Sequence, residues 1–374
     1  MEKHGSFIFI LPKLTTSMTH NKLFIPGPTE VAAEVLRQQM KRMIGHRSAE
    51  YTALYTGIID KLARYFNTSQ NITVLTASGT IWMDITARCI VKNKALAGVC
   101  GAFSKRMANT IRDSGKAVDT VEVEWGKAVK PDIILQELRD GDYDTVTMVH
   151  TETSTGIRNP IEEIGNAIKR EFPDVNFVVD AVSSAGGDLL VPEKLKTDIL
   201  FASSQKCFAL PPGLSIAIYS DKAVERARSV PGRGNYTDLI AIHDYFGKKK
   251  QNPTTPNISL MYALTYQLDR MLAETAIGRY NRHKAMAKYT QNWANEHFEM
   301  FPEKGYESIT VSTVKNTREK VIADMIKEIA GRGYQISNGY GELKEKTFRI
   351  GHMGEWKLDD VKTLLSHIDE ICGF

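Results

Sequence analysis

Two residues near the middle of the chain could do chemistry together, an aspartate and a lysine, each following a short apolar run. The stretch FVVDAVSSAGGDLLVPEKLKTDILFASSQK, residues 177–206, contains the runs Phe177–Val179 and Ile199–Ala202. Runs of that length read as buried strands of a parallel sheet. The first delivers Asp180 and the second Lys206, at the C-terminal strand ends where open α/β sheets bind their ligands. A lysine so placed can form a Schiff base with an aldehyde. A carboxylate can keep a pyridine nitrogen protonated, so that the ring accepts electrons. Together these are the roles that a pyridoxal phosphate cofactor requires. The placement alone would equally suit an Asp–Lys ion pair at a sheet edge.

The flanking pattern supplies elements to position this pair. The folded pattern opens at LFIPGPTEV, where Pro26-Gly27-Pro28 makes an extended turn and Thr29 is predicted to cap a helix Glu30–Lys41. A polar loop with His46 and Arg47 precedes an amphipathic helix over Ala49–Asn67. NITVLTASGTIWMDITARCIV then reads as a strand Thr73–Leu75, a turn Ser78-Gly79-Thr80 and a helix from Ile81. Backbone N–H groups at that turn, with two hydroxyls, suit a phosphate monoester. The strand LAGVCGAF, a helix Ser104–Gly115, the strand AVDTVEVEW and the strand Thr145–Val149 continue the alternation. That order implies right-handed crossovers and a mainly parallel sheet. HTETSTGIRNP follows, with Pro160 starting a helix; after Lys206, Pro211-Pro212-Gly213 turns into a strand Leu214–Tyr219. Segment 228–256 reads as loop-rich, and Met261–His283 as one long helix. From about Lys284 come a helix, the strand SITVSTV, a helix Arg318–Gly331, the strand KTFRIGHMG and a final helix, a compact α+β unit. Its Arg349 could hold a carboxylate through two parallel hydrogen bonds.

The expected domains are 21–280, a large α/β domain whose first segment contributes dimer contacts, and 281–374, a small α+β domain; residues 1–20 read as a disordered extension. Residues 7–11, FIFIL, are short for a leader and lack a clear small-residue cleavage site. The chain has 374 residues, with 48 Lys and Arg against 44 Asp and Glu. So slight and scattered a surplus does not indicate nucleic acid, and the basic run Lys248–Lys250 reads as a solvated loop. No apolar run reaches the ~20 residues of a membrane helix. Cys89, Cys100, Cys207 and Cys372 lack metal-ligand spacing and suit reduced thiols in a cytoplasm.

VVDAVSSAGG followed by SSQKCFALPPGLS resembles the class V aminotransferases of fold-type I, which include alanine–glyoxylate, serine–pyruvate and phosphoserine aminotransferases. The resemblance runs from about Leu23 to the C-terminus. It implies a large domain with a mainly parallel seven-stranded sheet, a small C-terminal domain, pyridoxal 5'-phosphate, and a homodimer with shared sites. Ser78, Gly79 and Thr80 then hold the phosphate, with Thr255 from the partner subunit, Asn252 nearby and Gln205 beside Lys206. Phe103 stacks on the cofactor, Thr153 lies near its phenolic oxygen, and Val182 also contacts it. Arg349 and Gly27 bind substrate, and His46 and Arg47 reach the neighbouring site, where phosphoserine enzymes use such a pair for the substrate phosphate.

The expected activity moves the amino group of a small amino acid, serine or alanine type, to a 2-oxo acid such as glyoxylate or pyruvate. A phosphoserine or aspartate:2-oxoglutarate enzyme of the same fold is the alternative. A desulfurase or lyase needs a mobile nucleophilic cysteine, and only Cys372 lies in the small domain. A non-catalytic nucleotide-binding α/β protein would leave Lys206, Asp180 and Arg349 without a shared purpose.

Overall fold

The computed structural model describes residues 20–374, so the expected extension lies, but for its last residue, outside the described residues. Seven strands form the main sheet: β1 Asn71–Leu75, β2 Lys94–Val99, β3 Ala117–Glu122, β4 Thr145–Val149, β5 Asn176–Asp180, β6 Ile199–Ser203 and β7 Ser215–Tyr219. Their spatial order is β1-β7-β6-β5-β4-β2-β3, and only β7 runs antiparallel to its neighbours. Every residue of β4, β5, β6 and β7 is buried, which is why these strands read as unbroken apolar runs. In the β5–β6 pair, Val178 faces Ile199 and Asp180 faces Phe201. β5 therefore ends at Asp180 while β6 runs on to Ser203, and both feed the same sheet edge.

Helix α1, Ala49–Phe66, forms as its pattern predicts: Ser48 caps it by accepting from Tyr51 N–H, and Asn67 closes it in the left-handed conformation. Helix α2, Ala102–Asp113, packs on β2 and β3. Several local expectations are corrected. Thr29 caps nothing: its hydroxyl donates to the Met353 carbonyl at 3.1 Å, and the helix there is only Ala33–Arg37. The segment from Ile81 is helical to Ile85 and then widens into a π-type turn over Thr86–Ile90. The loop-rich segment contains helix α3, Leu239–Lys249, capped by the Asp238 carboxylate. Lys248 and Lys249 sit in its last turn, where cations favour the helix dipole. The single long helix is two, α4 Ile258–Glu274 and α5 Ala276–His297, because Thr275 takes a φ of 67° and turns its hydroxyl to cap α5.

The C-terminal small domain is a four-stranded antiparallel sheet, ordered Glu299–Met300, Val311–Lys315, Thr347–Gly351, Ser337–Asn338. Its helix begins at Ile322 rather than Arg318, because Asn316 ties up Lys320 in a side-chain–backbone turn. The N-terminal segment straps this domain to the large sheet. Lys22–Leu23 pairs in parallel with Tyr334–Gln335, and Phe24 stacks on Trp356 at 4.1 Å. Gly351 N–H donates to the Phe24 carbonyl at 2.7 Å, and Thr29 N–H to the Gln205 carbonyl at 3.0 Å. Between those anchors the strap passes over Lys206.

Candidate active site

Asp180 is buried at the end of β5, where one carboxylate oxygen accepts from Val182 N–H at 2.8 Å and no other protein donor reaches the group among the described residues. Burial pushes its pKa up to about 7. Lys206 follows β6 through a tight turn and donates its amine to the Pro26 carbonyl of the strap. Burial pushes the amine down to about 8. Gly27 makes this contact possible, since a Cβ there would lie 2.7–2.8 Å from the lysine's outer atoms. Both residues line one cavity of about 220 Å³ at the C-terminal edge of the sheet.

One end of that cavity is the Ser78-Gly79-Thr80 turn. A Cβ on Gly79 would meet Val182 at 2.7 Å and Ser203 at 3.3 Å, so only glycine lets this backbone approach so closely. Gly79 N–H donates to Ser203 Oγ at 3.3 Å, and Ser203 Oγ donates to Gln205 Oε1 at 2.5 Å. Phe103 lies in the first turn of α2. The buried Glu152 carboxylate accepts from the N–H groups of Phe103 and Ser104 and from both the Ser104 and Ser154 hydroxyls, fixing the start of that helix. Thr153 shares a 2.5 Å hydrogen bond with Ser183. Behind Asp180, His150 N–H donates to its carbonyl at 2.8 Å, and the His150 ring, pushed down to about 4 by burial, pairs with Ser184.

The structure thus gathers Gly27, Ser78, Gly79, Thr80, Phe103, Thr153, Asp180, Val182, Gln205 and Lys206 around one space. Arg349 stands just behind it, donating to the Thr153 carbonyl at 3.2 Å and to the Asn338 carbonyl at 3.1 Å, and burial lowers its pKa to about 10. Four expected residues lie outside the cavity in this chain. Asn252 is buried and occupied, donating to Tyr55 and to the Val74 carbonyl and accepting from Tyr51. Arg47 donates to the Asn252 and Pro253 carbonyls at 2.5 and 2.7 Å and lies over the Tyr245 ring. His46 is half-buried beside it, and Thr255 is exposed on the loop that Arg47 braces. Sequence reasoning missed Ser183 and Arg106, which line the cavity, and Ser203, which links Gly79 to Gln205 beside it. Arg106 was legible as the residue one helical turn beyond Phe103.

A lysine amine and a buried carboxylate share one cavity at the C-terminal edge of a mainly parallel sheet, beside a glycine turn, the architecture of an α/β protein with its candidate site at the strand ends. Comparison narrows the class. The family model described as aminotransferase class-V matches residues 29–337, and the chain belongs to that family. An uncharacterized aminotransferase of Methanocaldococcus jannaschii is 39% identical over 89% of this chain and 87% of its own. A serine–glyoxylate aminotransferase of Methylorubrum extorquens is 31% identical over 90% and 87%. Among solved structures, alanine–glyoxylate aminotransferase from a Nostoc species superposes with a TM-score of 0.89 at 25% identity, covering 97% of this chain and 98% of that one. The fold is that of fold-type I aminotransferases, and the chain is a transaminase.

The burial of Asp180 sets a pH dependence in cofactor-free protein. The carboxyl ionises near 3.8 when unfolded and near 7 when folded. Between those values the folded chain keeps the proton, so stability falls as pH rises and levels off above the folded value. Asp180→Asn removes that slope. Denaturant unfolding of the cofactor-free variant should show about 2–4 kcal/mol more stability than wild type above neutral pH, and little difference near the unfolded carboxyl's own pKa. A gain of equal size at both would contradict the burial account.

Proposed function

We propose that the chain is a pyridoxal-phosphate-dependent aminotransferase taking the amino group from a small amino acid, serine or alanine type, and giving it to a 2-oxo acid such as glyoxylate. The observation that carries the reading is Lys206 and Asp180 facing one cavity, which the Ser78-Gly79-Thr80 turn also lines. When bound, pyridoxal phosphate supplies an electron sink that makes the substrate's α-proton acidic. The residues present fit that group. Asp180 would hold the proton on the ring nitrogen. Gly79, Ser78, Thr80 and Gln205 would hold the phosphate, while Phe103 and Val182 would cover the ring. Lys206, its amine brought near neutrality by burial, would take up the proton leaving the substrate Cα. Arg349 holds the α-carboxylate by a two-point contact.

The relatives named for serine–glyoxylate and alanine–glyoxylate transfer support the substrate class. A desulfurase reading lacks a nucleophile: Cys372 packs against Met325 at 3.9 Å at the end of the last helix, burial raises its pKa, and Cys207, Cys100 and Cys89 are buried. The four free cysteines support a reducing compartment such as the cytoplasm. None of the described helices is long and apolar enough to cross a membrane.

Mixing holoenzyme with single amino acids and following its visible absorption tests the activity. The band should be lost with alanine or serine and return with glyoxylate. A spectrum unchanged by every amino acid would overturn the reading.

We also infer that two chains share each site. Thr255 points outward on its braced loop, placed to serve a neighbour's phosphate rather than its own. Lys206→Ala and Thr255→Glu chains, each inactive, should regain activity when exchanged into hybrid dimers. No rescue despite proven exchange would show that each site is built from one chain.

A further inference from the structure

One guanidinium, Arg106, lines the cavity and a second, Arg349, stands just behind its wall, and neither forms an ion pair among the described residues. Arg106 lines the cavity, with its guanidinium 4.9 Å from the centre of the Phe103 ring and 3.5 Å from the Tyr340 hydroxyl. Arg349 lies 5.5 Å from the centre of the same tyrosine's ring. Tyr340 also packs on Phe103, ring centres 5.6 Å apart. One tyrosine of the small domain therefore touches both cations and the aromatic wall of the site. Neither Arg106 nor Arg349 has an ion-pair partner among the described residues, whereas Arg112, further along the same helix, bonds a neighbouring side chain. Among the described residues the one carboxylate lining the cavity is Asp180, which the proposed cofactor would engage. Two like charges sharing one tyrosine repel each other, and a site so arranged concentrates a positive field that favours an anion between them.

From this geometry we propose that Arg106 is a specificity-determining residue that binds the distal carboxylate of a dicarboxylic amino acid or 2-oxo acid, while Arg349 holds the α-carboxylate. The inference rests on reading the cavity as an aminotransferase site, and extends its substrates beyond the serine and alanine class. Arg47 does not supply this contact within the chain, because it lies outside the cavity, held against the carbonyls of residues 252 and 253. Glyoxylate or alanine would engage Arg349 alone. A four- or five-carbon dicarboxylic acid would engage both arginines and exclude water between them, and a charge-assisted contact at a half-buried site is worth roughly tenfold or more in affinity.

The test is equilibrium binding to holoenzyme of two unreactive acids, maleate and propionate, followed by calorimetry and by the shift of the visible band. Wild type should bind maleate at least about tenfold more tightly than propionate. Arg106→Gln should abolish that ratio, Arg106→Lys should restore part of it, and Arg349→Gln should weaken both acids together. Equal affinity for the two acids in wild type, or an unchanged ratio in Arg106→Gln, would overturn the proposal and assign Arg106 to packing on Phe103. If instead the protein takes up no cofactor, or propionate binding is indifferent to Arg349→Gln, the aminotransferase reading of the cavity itself fails.

Discussion

The site depends on one backbone constraint, the parallel pairing of β5 with β6 inside a sheet covered on both faces. Their register puts Asp180 opposite Phe201 and leaves β6 to continue toward Lys206. A slip by one residue would turn every side chain of a strand to the other face, and strands buried on both sides have few ways to absorb that. The pairing thus fixes an acid and an amine on one edge before any ligand arrives. That pair is unfavourable alone: the carboxyl is held up near 7 and the amine down near 8 because both lack solvent and neither pairs with the other. The folded chain therefore keeps a buried polar space whose costs a bound cationic ring and an aldehyde would relieve.

Other elements converge on that edge by local rules. Glu152 satisfies the free N–H groups that open α2 and so sets where Phe103 stands. The strap at residues 22–29 pairs with the small domain, lies over the lysine and ends on the Gln205 carbonyl. Any shift of the small domain is thereby felt at Lys206 and at Arg349 together. A Cβ on Gly351 would stand 2.3 Å from the Ile25 carbonyl, so the strap and the strand carrying Arg349 fit only through a glycine.

Asp180 and Lys206 were legible in the sequence because buried parallel strands announce themselves as apolar runs and their ends are where such sheets bind ligands. The break at Thr275 was not, because a threonine with left-handed φ that caps the next helix leaves the apolar period intact on both sides. Thr29 reads as a cap from its neighbours alone, yet a contact 324 positions away claims its hydroxyl. Asn252 and Arg47 carry the right chemistry at the right places in the chain, and their partners, two tyrosines of α1 and a pair of loop carbonyls, emerge only from packing. Arg106 shows the converse: helical spacing put it on the face of Phe103, but its unpaired state needed three dimensions.

The central claim is that Lys206, and no other lysine, carries the cofactor. Holoenzyme reduced with borohydride and digested should yield, by mass spectrometry, one peptide bearing the reduced pyridoxyl phosphate group, with Lys206 as the modified residue. Label on another lysine, or none on protein that has bound pyridoxal phosphate, would contradict the account.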